Sequence, residues 1–223
     1  MDVPLSRIVC LLVIATIACI DTGRIEPRTK PGTPIAAKIF QPQDGDLVFH
    51  TSQSSQSRAV RIATDSVYTH MGLILTQKGQ PYVLEAVQPV KLTEYSRWVD
   101  RGEGKHIIVK RLRDASRILT PIVLKRIRKL ARDFLGRPYD LQFRWDDDRL
   151  YCSELAYKLL DRGAGIKVGT VQKARELRLS DPAVQRKIQE RFGGAKGAFN
   201  PDEPIISPQS MFDDSQLVTV YEN

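Results

Sequence analysis

Tyr151-Cys152-Ser153-Glu154-Leu155 opens a segment whose apolar residues continue as Ala156, Leu159 and Leu160, the spacing of one face of an α-helix. The cysteine falls at the helix start. The chain holds three cysteines, and the other two, Cys10 and Cys19, lie in an apolar N-terminal stretch. Cys152 is therefore the one thiol expected in the body of the mature protein. A lone thiol has no partner for an internal disulfide, which leaves two readings: a small buried hydrophobe, or a nucleophile. A helix N-terminus and a nearby imidazolium both favour a reactive thiolate. The first is present, and the second has to come from elsewhere in the chain.

Only His50, His70 and His106 can supply it. His70 stands at the mouth of an apolar run, Thr69-His70-Met71-Gly72-Leu73-Ile74-Leu75, in a strand expected over residues 68–76. A second strand is expected over 82–87, with Gln77-Lys78-Gly79-Gln80 as the connection. If Lys78 and Gly79 are the loop residues, Gln77 pairs with Gln80 and Leu75 with Tyr82. Carried back, that register sets Gly72 opposite Glu85 and His70 opposite Val87. His70 and Glu85 then lie on one face as diagonal neighbours. Glu85 sits in Val83-Leu84-Glu85-Ala86-Val87, where an idle carboxylate would be costly. Orienting His70 is the sharp reading for it, and an ion pair with an arginine the plain one. Glu154 is a rival orienter for the thiol's partner, but residues two apart on a helix point in different directions. His50 and His106 have no comparable surroundings in the sequence.

Around this core the chain reads as an α+β domain over residues 43–223. Asp44-Gly45-Asp46 is a turn leading into Leu47-Val48-Phe49-His50, a short buried strand. Helical spacing appears over 54–63 and 95–101, and 107–112 reads as a strand, whereas the stretch from Lys91 to Lys105 reads mostly as a loop. Thr120 and Pro121 make the N-terminus of the clearest helix, with an apolar stripe of Val123, Leu124, Ile127, Leu130, Ala131 and Phe134. Its opposite face carries Lys125, Arg126, Arg128, Lys129 and Arg132, a solvated face or an anion-attracting one. Ser180-Asp181-Pro182 and Ser207-Pro208 start two further helices, and 217–221 is a last strand. Asp146-Asp147-Asp148 reads as a helix-entry cluster. No histidine or cysteine sits near it to complete a metal site, and no cofactor or metal is expected.

With 223 residues, 42% hydrophobic and 27% charged, the chain has room for one substantial core. Residues 1–20 carry a positive Arg7 and an apolar run from Ile8 to Ala18, the pattern of an export signal. Thr16-Ile17-Ala18-Cys19 permits simple cleavage before Cys19. It also resembles a bacterial lipobox, with Thr16 where leucine is usual, which would make Cys19 a lipidated N-terminus. Residues 21–42, rich in proline, glycine, threonine and charge up to Pro34, read as a tether. The net charge of +8 suggests an anionic membrane surface as partner rather than nucleic acid, because the chain is expected to be exported.

Six segments, in this order, resemble the YiiX/YebB-like group of permuted papain-like cysteine hydrolases, relatives of the NlpC-type cell-wall amidases. They are Gly45-Asp46-Leu47-Val48-Phe49, Ser54-Ser55-Gln56-Ser57, Thr69-His70-Met71-Gly72, Leu84-Glu85-Ala86-Val87, Leu135-Gly136-Arg137-Pro138-Tyr139-Asp140 and Tyr151-Cys152-Ser153-Glu154. The resemblance implies a circularly permuted papain-like fold, with an antiparallel sheet packed against the nucleophile helix and histidine preceding cysteine in the chain. It implies Cys152 as nucleophile, His70 as base and Glu85 as the residue steering His70. Tyr139 resembles a tyrosine near the oxyanion site of unpermuted relatives, although no Gly-Gly follows it. Tyr151 and Glu154 also depart from the aspartate and glycine usual around the cysteine. The activity implied is hydrolysis of an amide or ester in the cell envelope through a thioacyl-enzyme, with cell-wall peptides as one substrate class. The permuted branch also resembles lipid acyltransferases, so a lipid acyl hydrolase or acyltransferase is an alternative. A binding lipoprotein that kept the fold without catalysis is another.

Overall fold

A computed structural model describes residues 40–54, 56–193 and 198–223. The expected signal, Cys19 and most of the tether lie outside the described residues. The described residues form one compact unit.

Its centre is a six-stranded antiparallel sheet. In chain order the strands are β1 (Leu47–His50), β2 (His70–Gln77), β3 (Gln80–Glu85), β4 (Lys91–Glu94), β5 (Ile108–Leu112) and, last in the chain, β8 (Leu217–Glu222). They lie side by side as β4-β3-β2-β1-β5-β8. The hairpin between β2 and β3 has the register the sequence predicts, with Gln77 opposite Gln80 and Leu75 opposite Tyr82. Lys78 and Gly79 both take positive φ, 48° and 80°, the conformation a two-residue turn needs to match strand twist. β4 is the main departure. Residues 91–94 carry one apolar side chain, Leu92, and such a polar edge strand leaves no alternating pattern to read.

Both sheet faces are covered. Side chains alternate along each strand, so Leu47, Phe49, Met71, Leu73, Leu75 and Leu84 share one face. There they meet α4 (Pro121–Phe134) and α5 (Cys152–Ala164), through Ile127, Ala131, Leu155, Ala156, Leu159 and Leu160. Val48, Ile74, Val83 and Val109 point the other way and pack with Trp98 of α2 (Tyr95–Asp100). Phe40 joins this second layer and stacks on Tyr221 at 4.5 Å between ring centroids. Packed chain therefore extends back to a residue inside the expected tether.

The helix ends follow from capping. Thr120 Oγ1 accepts from Val123 N–H at the start of α4, and Asp181 does the same for Ala183 ahead of α6 (Pro182–Phe192). α5 begins differently. Glu154, in its first turn, reaches back to accept the Tyr151 N–H at 3.3 Å, and the N–H of Ile206 donates to the Tyr151 hydroxyl. These contacts anchor the residue just before Cys152. Among the shorter elements, α1 (Ser57–Thr64) packs against α6, and α3 is Ala115–Ile118. β6 (Gln172–Lys173) and β7 (Pro204–Ile205) form a separate two-stranded ladder, and α7 is Pro208–Phe212.

Candidate active site

β2 begins with His70 and β3 ends with Glu85, so the site sits at one end of the sheet. The shared register puts both on the Val83 face. His70 Nε2 lies 2.7 Å from Glu85 Oε2. Gly72 makes this approach possible. A Cβ there would meet Val83 Cγ1 at 2.3 Å and the Leu84 carbonyl oxygen at 2.8 Å.

Glu85 is fully buried and collects four donors. Besides His70 these are Thr93 Oγ1 at 2.5 Å, Trp98 Nε1 at 3.1 Å and Arg101 NH2 at 2.5 Å. Burial by itself would favour the neutral acid. The hydrogen bond and charge of His70, with the hydrogen bonds from Arg101 and Thr93, outweigh it and hold the carboxyl at about 2. The plain reading of Glu85, an arginine ion pair, and the sharp one, a histidine orienter, are thus both present in one carboxylate.

His70 answers in the opposite sense. Burial works against its charged form, but hydrogen bonds to Cys152 and Glu85, with their charges, raise it to about 9. Glu85 occupies Nε2, which leaves Nδ1 as the ring nitrogen facing the thiol. Cys152 is the first residue of α5 and is 6% exposed. α5 packs on the Leu47 and Phe49 face, yet its first residue reaches the histidine of the opposite face because both lie at the sheet's end.

Tyr139 comes from the loop before α5, where it bridges to Leu150. Its hydroxyl accepts from Gln56 Nε2 at 3.0 Å. Burial, and then the nearby charge of Cys152, push the phenol upward, so it stays protonated. Tyr139 and Cys152 line the same cavity.

Of the other two histidines, only His50 lies at the site, in surroundings the sequence did not show. His50 lies beside His70 in the β1–β2 ladder, with ring centroids 5.3 Å apart, and stacks on Trp98 at 3.9 Å. Burial and the charge of His70 lower it to about 3, so it is a neutral ring. His106 meets the C-terminal Asn223 instead. The rival orienter Glu154 is also accounted for. It is buried against Lys158 Nζ at 2.7 Å, away from the His70–Glu85 pair's hydrogen bonds. In the aspartate cluster, Asp147 pairs with Lys158 and Arg162.

Two cavities meet at the His70–Cys152 site. One is mostly apolar and has a cavity volume of about 130 Å³. Its walls include Ala59, Val60 and Ala63 of α1, Val184 and Ile188 of α6, and Cys152 itself. The other cavity is reached by His70 and is more polar, with Ser52, Gln53, Gln88 and Arg101. Tyr139 and Gln56 stand on the wall between them. The apolar cavity escaped sequence reading, since α1 and α6 are far apart in the chain and nothing local announces their pairing.

Residues 41–221 match the family model described as permuted papain-like amidase enzyme, YaeF/YiiX, C92 family. The chain belongs to this family. Similar to it is the uncharacterized protein YiiX of Escherichia coli strain K12, 40% identical over 186 residues, or 83% of this chain and 89% of that one. A crystal structure titled as the metalloprotein yiiX from Escherichia coli O157:H7 aligns with a TM-score of 0.77 at 41% identity. That alignment covers 82% of this chain and 99% of the other. Among the described residues here, no three histidine, cysteine, aspartate or glutamate side chains converge as a metal would require. The permuted papain-like fold, with its antiparallel sheet and a helix led by the cysteine, is that of an amidase family of cysteine hydrolases.

Proposed function

We propose that this amidase cleaves amides, or esters, whose acyl part is apolar, through a thioacyl-enzyme on Cys152. The observation that carries this reading is the apolar cavity opening onto Cys152 while the polar one opens onto His70. The acyl group must stay beside sulfur in the intermediate, and the leaving group must pass the acid that protonates it. The division of the two cavities matches that division of labour.

In this scheme the thiol proton passes to His70 Nδ1 and the Cys152 sulfur attacks the carbonyl carbon. The oxyanion is held by the Cys152 backbone N–H, one of the helix donors without an intrahelical acceptor, and by the Tyr139 hydroxyl. His70 gives its Nδ1 proton to the leaving amine as the tetrahedral adduct collapses. It then takes a proton from water, which attacks the thioester and releases the acid. Glu85 keeps Nε2 engaged throughout, so the ring is held in one orientation.

A lipid-like acyl group is thereby favoured over a polar cell-wall peptide. Each buried methylene contributes about 0.8 kcal/mol, so a wall of alanine, valine and isoleucine selects for chain length. The same reading takes the N-terminal segment as an export signal and the envelope as the place of action, with the basic α4 face toward anionic lipid.

Mass spectrometry of the intact protein tests it. After exposure to N-octanoyl-p-nitroanilide, an octanoyl adduct on Cys152 is expected, absent in Cys152→Ala. Trapping only by an alanyl-glutamyl peptide anilide would overturn the acyl preference. No adduct on Cys152 from either would overturn the nucleophile.

A further inference from the structure

Gln56 belongs to the Ser54-Ser55-Gln56-Ser57 segment, to which the catalytic scheme above gives no part. It lies at the N-terminal end of α1, between two groups from distant parts of the chain. Its Nε2 donates to the Tyr139 hydroxyl at 3.0 Å, and its Oε1 accepts from Arg191 NH2 of α6 at 2.6 Å. A guanidinium can only donate, so it dictates which end of the amide is oxygen. The amide nitrogen is then turned to the phenol. A phenol that accepts one hydrogen bond still has its own proton to give, and the cavity shared with Cys152 is open to it.

We infer that Gln56 and Arg191 are positioning residues that aim the Tyr139 hydroxyl proton at the oxyanion formed on Cys152. The inference rests on the acyl-enzyme reading above. It adds a source of polarisation, since each donor in a chain strengthens the next. Arg191 delivers the effect of a positive charge to the oxyanion through two hydrogen bonds, while the cation itself stays back. It is held over the Phe143 ring, 5.0 Å from its centroid, and desolvation lowers its own proton affinity. The half-buried, uncharged phenol suits this task, because a phenolate there would repel the oxyanion.

The relay joins α1, the loop before α5, and α6. Assembly of the oxyanion donor therefore depends on α6 being docked against α1, the same pair of helices that walls the apolar cavity.

Gln56→Glu separates positioning from support. The substituted carboxylate keeps the side-chain size and forms a charge-assisted pair with Arg191, so thermal stability is expected to hold or rise. It also turns the Tyr139 hydroxyl around, because a carboxylate can only accept, and the phenol proton is drawn away from the oxyanion. With p-nitrophenyl octanoate as probe, Tyr139→Phe is expected to lower kcat by about 10²-fold, as loss of one oxyanion donor does. Gln56→Glu is expected to lower kcat at least roughly tenfold with KM little changed, a fraction of the full donor's effect. In the Tyr139→Phe background, Gln56→Glu and Arg191→Met are each expected to add nothing further. An equal loss in both backgrounds, or a change confined to KM, would overturn the relay. Unchanged kcat in Tyr139→Phe would instead overturn Tyr139 as the donor, whereas loss of kcat there with none in Gln56→Glu leaves that reading standing and removes the relay alone.

Discussion

Nε2 of His70 and Oε2 of Glu85 are 2.7 Å apart, and each moves the other's proton affinity away from its ordinary value. His70 rises from 6.5 to about 9 and Glu85 falls from 4.5 to about 2, both against the pull of burial. Between these limits the pair is an imidazolium facing a carboxylate. The consequence for stability has a definite sign. The His70 contribution is complete below pH 6.5 and is lost as pH rises through about 9. The Glu85 contribution is complete above pH 4.5 and is lost as pH falls through about 2.

Glu85→Gln is expected to pull the alkaline limb of the kcat/KM profile to lower pH by about one unit or more, the range of a lost carboxylate neighbour. The side chain keeps its shape, but the charge that holds the His70 proton is gone. At neutral pH activity falls by about 10²-fold, the low end of what a positioned acid–base group contributes. A pH–rate profile on p-nitrophenyl octanoate reads both effects. An unmoved alkaline limb would mean that Glu85 does not govern His70.

The His70–Glu85 pair was legible in the sequence for a physical reason. Lys78-Gly79 sets the turn, the turn sets the register, and a carboxylate in an apolar strand needs a partner. Thr93, Trp98 and Arg101 were not legible as its other donors. They come from β4 and the helix after it, and β4 is a polar edge strand without an alternating pattern. His50 beside His70 was missed because it depends on how β1 pairs with β2 across the intervening α1. The caps of α4 and α6 could be read locally, whereas the apolar cavity between α1 and α6 is a tertiary product of two amphipathic faces.

Gly72→Ala tests the close approach of the two strands. The added methyl meets Val83 Cγ1 and the Leu84 carbonyl oxygen at less than contact distance, so β3 must shift from β2. Overpacking of this kind costs about 1–3 kcal/mol. Glu85 is the last residue of β3, and the shift carries it away from His70. Thermal denaturation is expected to show the loss of stability, and alkylation of Cys152 by iodoacetamide at pH 6 is expected to slow along with it. Lowered stability with unchanged alkylation would show that the His70–Glu85 geometry survives.

Chain length reads the apolar cavity. For p-nitrophenyl esters from acetyl to octanoyl, kcat/KM is expected to climb by about two- to fourfold per methylene, the range set by partial to full burial at 0.8 kcal/mol each. Ile188→Asp places a charge on the cavity wall and is expected to flatten this climb while leaving the acetyl ester within about twofold, because its short acyl group does not reach α6. A flat series in the unaltered protein would remove the acyl pocket from the mechanism.

Lys158 anchors the start of the nucleophile helix from one turn on. Its ammonium is 3% exposed and meets Glu154 at 2.7 Å and Asp147 at 2.9 Å. Burial already raises Glu154 to about 8, even with Lys158 opposing it. Lys158→Met leaves that carboxyl without its cation, so an ionised Glu154 would be an unpaired buried charge, a state that costs about 3–5 kcal/mol. The folded state then holds its proton on Glu154 more tightly still, while the unfolded chain releases it near pH 4.5. The unfolded state binds fewer protons over this window, so stability falls as pH rises from about 4.5 to 8 and beyond. Urea denaturation at pH 5 and pH 9.5 measures it, and the deficit of Lys158→Met relative to the unaltered protein is expected to be larger at pH 9.5, where Glu154 of the unaltered protein is ionised and that of the variant is not. Because Glu154 also accepts the Tyr151 N–H, a loosened carboxylate frees the residue that holds Cys152 in place. Activity per folded molecule is therefore expected to drop as well. An equal deficit at both pH values would mean that Glu154 finds another cation or water once Lys158 is gone.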